Sequence, residues 1–337
     1  MNEIIRIGID TSKHIFQVHG VNAAEQPVLR KTLRRGQLER FFTSLPPTLI
    51  GLEACGASHH WARLLQSLGH EVRLLPPQYV KPYVKRGKND AADAEAICEA
   101  LSRPSMRFVP VRSTQNQAEL MLLTARDLLL KQKTMLINAI RGHAAEFGVT
   151  GRKGANNIAA LHELIASNDA VPELAREILG QLFEQVQSLE QQARTLEKKL
   201  VAWHRSNKCS RRLATIPGVG PIGATAMVMK VSDPRIFKSA RHFAAWLGLT
   251  PKDHSTAGRH RLGVITRAGD EMLRRLLVNG ATAVIQCARP GRSSPWLLNL
   301  LARKPKKLVA VALANKIARI AWVLMTRDED YRHSLAA

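Results

Sequence analysis

The sequence predicts an α/β domain built on a mixed sheet, followed by an all-helical half. Residues 4–102 alternate short β-branched runs with helical stretches. Residues 172–203 hold an apolar heptad pattern, and nothing after residue 109 reads as a strand. The expected division is 1–108 for the sheet domain, 109–207 for a helical, coiled-coil connector and 208–337 for a C-terminal helical domain.

Residues 4–10, IIRIGID, form a β-branched run ending in an acid, and 14–21, HIFQVHGV, form a second strand across a T-S-K turn. Residues 27–32 are a third strand candidate. Residues 36–44 read as a helix with Leu38, Phe41 and Phe42 on one face. Residues 48–53, TLIGLE, are a buried strand that again ends in an acid. A helix at 59–69, a strand at 71–76 and a helix at 90–102 complete the order β-β-β-α-β-α-β-α. Acids begin the last helix, where the macrodipole favours them.

Residues 112–142 read as a long helix, capped by Ser113 or Thr114. In 172–203, Ala175, Leu179, Leu182, Val186, Leu189, Ala193, Leu196, Leu200 and Trp203 recur at alternating steps of four and three. That seam predicts a coiled coil that joins two protomers or packs back on the 112–142 helix. Helices follow at 240–248, 269–287 and 306–326, with a loop at 249–263.

The 337 residues carry 50 Lys+Arg against 27 Asp+Glu, a formal charge of +23. A chain this basic points to a polyanion, most often nucleic acid. Hydrophobic residues make up 45% and aromatic residues only 5%, so the core must be aliphatic. Cys55, Cys98, Cys209 and Cys287 form no C-x-x-C, which argues against a disulfide framework or a zinc site. The opening MNEIIRIGID has no signal-peptide pattern, and no unbroken run reaches the roughly 18–20 apolar residues of a membrane span. A cytoplasmic protein is expected.

Asp10 ends the first strand and Glu53 ends the strand expected beside it. Parallel neighbours put their C-terminal ends on one edge, where open sheets bind ligands. Asp90 and Asp93 stand three apart at a helix start, hence on one face. If that helix packs across the same edge, four carboxylates share one pocket and repel one another, and a hard divalent cation, Mg²⁺ or Mn²⁺, relieves the repulsion. Such ions suit phosphodiester chemistry. Taken singly, Asp10 reads equally as a turn residue, and Asp90 or Asp93 as a cap. The basic run K-R-G-K-N at 85–89, with Lys85, Arg86 and Lys88, sits just before Asp90 and fits a phosphate backbone, as does Lys13 after Asp10.

G-I-D-T-S-K (8–13), G-L-E-A-C-G (51–56) and K-N-D-A-A-D-A (88–94) resemble the acidic blocks of the DEDD insertion-sequence transposases. These form the one-ten family, and the likeness is strongest to its one-triple-one subgroup. The resemblance implies a RuvC-like, ribonuclease-H fold with Asp10, Glu53, Asp90 and Asp93 as the D, E, D and D. The block W-L-G-L-T-P-K-D-H-S-T-A-G-R-H-R-L-G-V-I-T-R-A-G-D-E-M-L-R-R (246–275) is similar to the same family's C-terminal transposase domain. There a loop serine attacks DNA and holds it covalently. Ser255 is the matching residue and Thr256 the fallback, because S-T-A-G departs from the S-G or S-T-G-G of many relatives.

A serine hydroxyl needs activation. His254 and His260 are near in sequence, but nothing assigns either the task. Arg259, Arg261, Arg267, Arg274 and Arg275 would clamp phosphates. I-P-G-V-G-P-I-G-A (216–224) resembles a helix-hairpin-helix turn, in which Gly218 and Gly220 would open a helix N-terminus to a DNA backbone. The family resemblance further implies an RNA-guided recombinase, with a guide RNA encoded by the element, donor and target DNA, and a dimer or tetramer of the chain. The alternatives are a junction-resolving endonuclease using metal-activated water, an actin-like kinase or ATPase, and a structural packaging protein. The second needs a further phosphate loop and a second ribonuclease-H-like half, and the third needs no converging acids.

Overall fold

The computed structural model describes residues 3–85, 89–256, 258–259 and 261–331. The chain divides into two compact units, Met1–Gln117 and Ala118–Ala337.

The first unit contains β1 (Arg6–Thr11), β2 (Ile15–Val21), β3 (Pro27–Arg34), α1 (Leu38–Thr43), β4 (Leu49–Glu53), α2 (Ser58–Ser67), β5 (Glu71–Leu75), α3 (Pro77–Val80) and α4 (Asp90–Leu101). The expected order of strands and helices is found, with α3 as an unforeseen short addition. The strands form one sheet in the order β3-β2-β1-β4-β5. β1, β2 and β3 are antiparallel neighbours, while β1, β4 and β5 run parallel. Ser12 holds the β1–β2 turn: its hydroxyl accepts from the Ile15 N–H at 3.1 Å.

Side chains alternate across a strand, so each face has its own set. Ile7, Ile9, Ile50 and Leu52 are fully buried in one core cluster with Phe42, Trp61 and Leu65 of α1 and α2. The opposite face carries Gly8 and Gly51, which are register partners. Helix α4 lies on that face. A Cβ on Gly8 would stand 2.3 Å from the Ala94 carbonyl oxygen and 2.5 Å from the Cys98 nitrogen. A Cβ on Gly51 would meet Leu101 at 3.0 Å and Leu75 at 3.1 Å. Two glycines side by side therefore let a helix settle directly on the sheet.

The second unit begins within α5 (Thr114–Glu146), whose cap is Ser113, accepting from the Asn116 N–H at 3.1 Å. There follow α6 (Ile158–Ala166), α7 (Glu173–Ser206), α8 (Lys208–Leu213), α9 (Pro221–Lys230), α10 (Ala240–Trp246), β6 (Pro251–Asp253), β7 (Leu262–Ile265), α11 (Glu271–Gln286), α12 (Pro295–Arg303) and α13 (Lys306–Arg327). The α7 seam packs back on α5: Ile137 and Ile140 cluster with Leu179, Phe183 and Val186. Arg126 bonds Glu197 at 2.8 Å, and Lys133 meets Glu190 at 3.9 Å. Seven residues forward on α5 correspond to seven back on α7, so the pair is antiparallel.

One expectation fails here. The C-terminal half is not wholly helical, because β6 and β7 pair as an antiparallel hairpin arm. The strands are three and four residues long and almost entirely exposed, so no burial period marks them. Helices α6, α8 and α12 are likewise additions. Among the described residues, α13 alone is long and apolar enough to cross a membrane, with a mean hydropathy of 1.7 over 18 residues. Lys316 and Arg319 interrupt it in sequence. Its Ala314, Ile317, Ala318 and Ala321 are buried in the core of this unit with Leu273, Leu277 and Phe243.

The spacing between sheet and α4 yields a prediction. Gly8→Ala should cost about 2 kcal/mol or more through overpacking, whereas Gly36→Ala, with nothing within 4 Å, should stay within about 0.5 kcal/mol. Urea denaturation of the two variants checks this.

Candidate metal centre

Asp10 lies two residues beyond Gly8 and Glu53 two beyond Gly51, so both carboxylates project from the α4 face of the sheet. The register Ile9↔Leu52 makes them neighbours at the C-terminal edge. Helix α4 opens at the same place. Its cap is Asn89, whose side chain accepts from the Ala91 N–H at 3.0 Å. Neither Asp90 nor Asp93 serves as the cap, and both side chains remain available. Ligand oxygens of Asp10, Asp90 and Asp93 all lie within 4.8 Å of one another. Glu53 is outside that group, yet its charge reaches Asp10.

The electrostatics follow from this crowding. Burial pushes the Asp10 carboxyl up to about 6, and Asp93, Asp90 and Glu53 add to the shift in that order. The backbone N–H of Thr11 opposes it. Glu53 is also raised, first by burial and then by Asp93. A donor set of three or four carboxylates with its charge uncompensated fits a hard, oxygen-seeking divalent cation. Asp10, Asp90 and Asp93, with Glu53 beside them, are the residues that would hold it. Thr11 and Cys55 also meet at this edge, with Oγ1 and Sγ 3.5 Å apart. Both stand in the acidic blocks, but nothing in the sequence pairs them.

Of the basic residues expected here, Lys13 is exposed in the β1–β2 turn. Lys85 is exposed and bonds Glu95 at 2.5 Å. Arg86 and Lys88 lie outside the described residues.

Ser255 belongs to the other unit, on the hairpin arm. Its hydroxyl accepts from the Arg261 N–H at 3.1 Å, and its own N–H donates to the Asp253 carboxylate at 2.8 Å. Hydrogen bonds from Ser255, side chain first, hold the Asp253 carboxyl below its ordinary range. Asp253 is the neighbour the sequence reading missed; its signal was the D-H-S spacing. Thr256 bridges to Arg259, His254 is exposed, and His260 lies outside the described residues.

The five arginines separate into two kinds. Arg259, Arg261 and Arg267 are exposed. Arg274 donates to the Leu247 and Ala268 carbonyls at 3.1 and 3.0 Å, and Arg275 pairs with Asp127. These last two have internal partners that the sequence did not reveal. Gly218 also has one: at φ +86 it packs against Gly280 of α11, where a Cβ would meet the Gly280 oxygen at 2.8 Å. Gly220 is exposed and caps α9.

Comparison with known proteins supplies the family. Residues 7–148 match a DEDD transposase family of IS110, and residues 210–295 match the transposase IS116/IS110/IS902 family. A Sinorhizobium fredii protein named as a transposase, y4pF/y4sB, is 61% identical over 99% of this chain and 87% of its own length. The chain belongs to the IS110/IS116 transposase family. The transposase for insertion sequence element IS1328 of Yersinia enterocolitica is 38% identical, over 97% of this chain and 98% of its own. The transposase for IS1111A of Coxiella burnetii is 37% identical, over 98% and 92%. An insertion-sequence transposase cuts and joins DNA strands, so the chain is an enzyme acting on DNA. The four acids lie within the DEDD match, and Ser255 lies within the second.

The raised carboxyl of this transposase sets the sign of its pH response. Folded Asp10 holds its proton more tightly than the unfolded chain does, so that stabilisation is complete below the ordinary 3.8. It is lost as the pH rises through about 6. Metal-free protein should therefore lose stability between about pH 4 and pH 7. Millimolar Mn²⁺ or Mg²⁺ should restore it near neutrality, by RT ln(1 + [L]/Kd). Thermal melts read both effects, and Asp10→Asn should weaken both.

Proposed function

We propose that this transposase is an RNA-guided recombinase that uses the carboxylate cluster and Ser255 together. The cluster of Asp10, Asp90 and Asp93 carries the reading, because three acids within 4.8 Å have no evident use without a cation. We read the first unit as RuvC-like, with Glu53 as the fourth ligand. Residues 109–207 are read as a connector that assembles protomers and 208–337 as the strand-joining domain. The likeness to the IS1111A transposase supports the one-triple-one subgroup.

A bound Mg²⁺ or Mn²⁺ would supply positive charge at the reacting phosphate. The Ser255 oxygen forms a new bond to phosphorus as the bond to the leaving deoxyribose oxygen breaks. The leaving oxygen takes up a proton, and the serine proton is given up with Asp253, hydrogen-bonded to Ser255, beside it. The phosphodiester is kept as a serine ester, so reversal on a second strand joins DNA without an outside energy source. Thr256 is the fallback nucleophile. Arg259, Arg261, Arg267, the α9 N-terminus at Gly220, Lys13 and the 85–88 run would grip phosphates. Arg274, Arg275 and Gly218 would act through the scaffold. The guide RNA and a dimer or tetramer rest on the family resemblance and on the +23 charge.

A second reading uses metal-activated water only. It is favoured by one observation: among the described residues, no histidine is hydrogen-bonded to the Ser255 hydroxyl, which accepts from Arg261.

Denaturing gels with end-labelled element-terminal DNA separate the two readings. Wild type should leave a covalent protein–DNA adduct, and Ser255→Ala should remove it and cut joining by at least about a thousandfold. Asp10→Asn should do the same. Normal cleavage by Ser255→Ala would transfer the chemistry to water.

A further inference from the structure

Two cavities of the second unit share one indole. The first, about 480 Å³, lies between α10, α12 and α13, with Ala240, Asn315, Arg319 and Val323 in its wall. The second, about 380 Å³, reaches Pro217, Arg292 and Ser294. Trp296, Lys316 and Ile320 line both. These volumes fall in the range of pockets for small organic groups, roughly 300–1,000 Å³.

Trp296 is 36% exposed, at the first turn of α12. The Lys316 ammonium stands 4.4 Å from the centre of its ring. Lys316, Ile320 and Val323 recur at helical spacing on α13, so one stripe of that helix faces the cleft. Only 39% of the apolar window of α13 is buried, which leaves part of this helix uncovered. Among the described residues, no acid lines either cavity. Arg292, Lys316 and Arg319 are all exposed, and none is in an ion pair among the described residues.

A large apolar ring with the Lys316 ammonium over one face, two further cations free of ion pairs among the described residues, and no acid in the lining match one ligand chemistry. A flat heteroaromatic group would stack on or beside the indole while a linked phosphate meets the cations. An apolar protein surface or a lipid tail uses the apolar part but leaves the three cations unanswered. Duplex DNA answers the cations but keeps its bases stacked inside. An unpaired nucleotide uses both. Strand exchange by a transposase opens DNA and creates such nucleotides.

We propose that the Trp296 cleft is a binding site for single-stranded DNA: an unpaired base stacks at Trp296, and its flanking phosphates bind Arg292, Lys316 and Arg319. The site is separate from the carboxylate cluster and does not depend on it.

Fluorescence anisotropy with a labelled oligothymidylate and the full chain tests this. Trp296→Ala should weaken binding about tenfold, in the range for losing one base–aromatic stack, while Trp296→Phe should keep most of it. Lys316→Ala with Arg319→Ala should weaken binding and flatten its salt dependence by roughly 0.7 for each phosphate no longer neutralised. Duplex binding should change little in Trp296→Ala. Circular dichroism melts confirm that each variant is folded. The proposal fails if folded Trp296→Ala and the double variant bind the oligonucleotide as tightly as wild type. It fails equally if their measured effect is loss of self-association in sedimentation, which would make the cleft an interface between copies.

Discussion

The close seat of α4 on the sheet governs the first unit. It exists because Gly8 and Gly51 are paired across β1 and β4 and leave no side chain beneath the helix. The same two-residue alternation that turns the glycines toward α4 turns Asp10 and Glu53 toward its N-terminus. Spacer and ligand are thus coupled: G-x-D and G-x-E each place a gap and an acid on one face. A helix held farther out would carry Asp90 and Asp93 away from Asp10. The positive end of the α4 dipole partly offsets the crowded acids, and with Asn89 capping the backbone no carboxylate is consumed there. The Asp10 carboxyl is raised first by burial and then by the acids around it.

The order of elements along the chain, and the place of β4 beside β1, were legible because the strands of the first unit are short runs bounded by turns. That Asp10 and Glu53 share an edge and Asp90 and Asp93 a helix face was legible, but their meeting was legible only on the condition that the helix crosses that edge; the cluster holds Asp10, Asp90 and Asp93. The Gly8–Ala94 approach was not legible, because a glycine in a strand does not say which element will close on it. Nor was the β6–β7 hairpin, whose exposed strands carry no burial period. Arg274 and Arg275 looked like free cations for the same reason: their partners, Leu247 and Asp127, lie on distant segments.

That last point changes how the net charge is understood. Some of the basic residues are structural. Arg6 is buried against the Cys98 carbonyl at 2.8 Å and Glu25, and Arg212 is buried between Asp328 and Asp330. Arg126 ties α5 to α7 through Glu197. Such pairs remove acids from the surface as well as cations, so they leave the excess charge unchanged while concentrating it on the residues that remain unpaired. The electrostatic footprint of this transposase is therefore better read from Arg292, Lys316, Arg319 and the exposed arginines of the hairpin arm than from the total.

The hairpin arm that carries Ser255 is held to its unit by little buried apolar area. β6 is exposed along its whole length, and Leu262 and Val264 of β7 are 67% and 68% exposed. With so little apolar area buried, local rearrangement of the arm costs far less than opening the core helices α11 and α13. Gly248 and Gly269, both at positive φ and both pressed against backbone at the base of the arm, fix where it leaves the core. A base fixed by backbone packing and strands with little buried area let the arm rearrange without disturbing the buried helices behind it. The carboxylates are placed differently: Asp10 and Glu53 end strands of the sheet, and Asp90 and Asp93 open a helix that close packing seats on it.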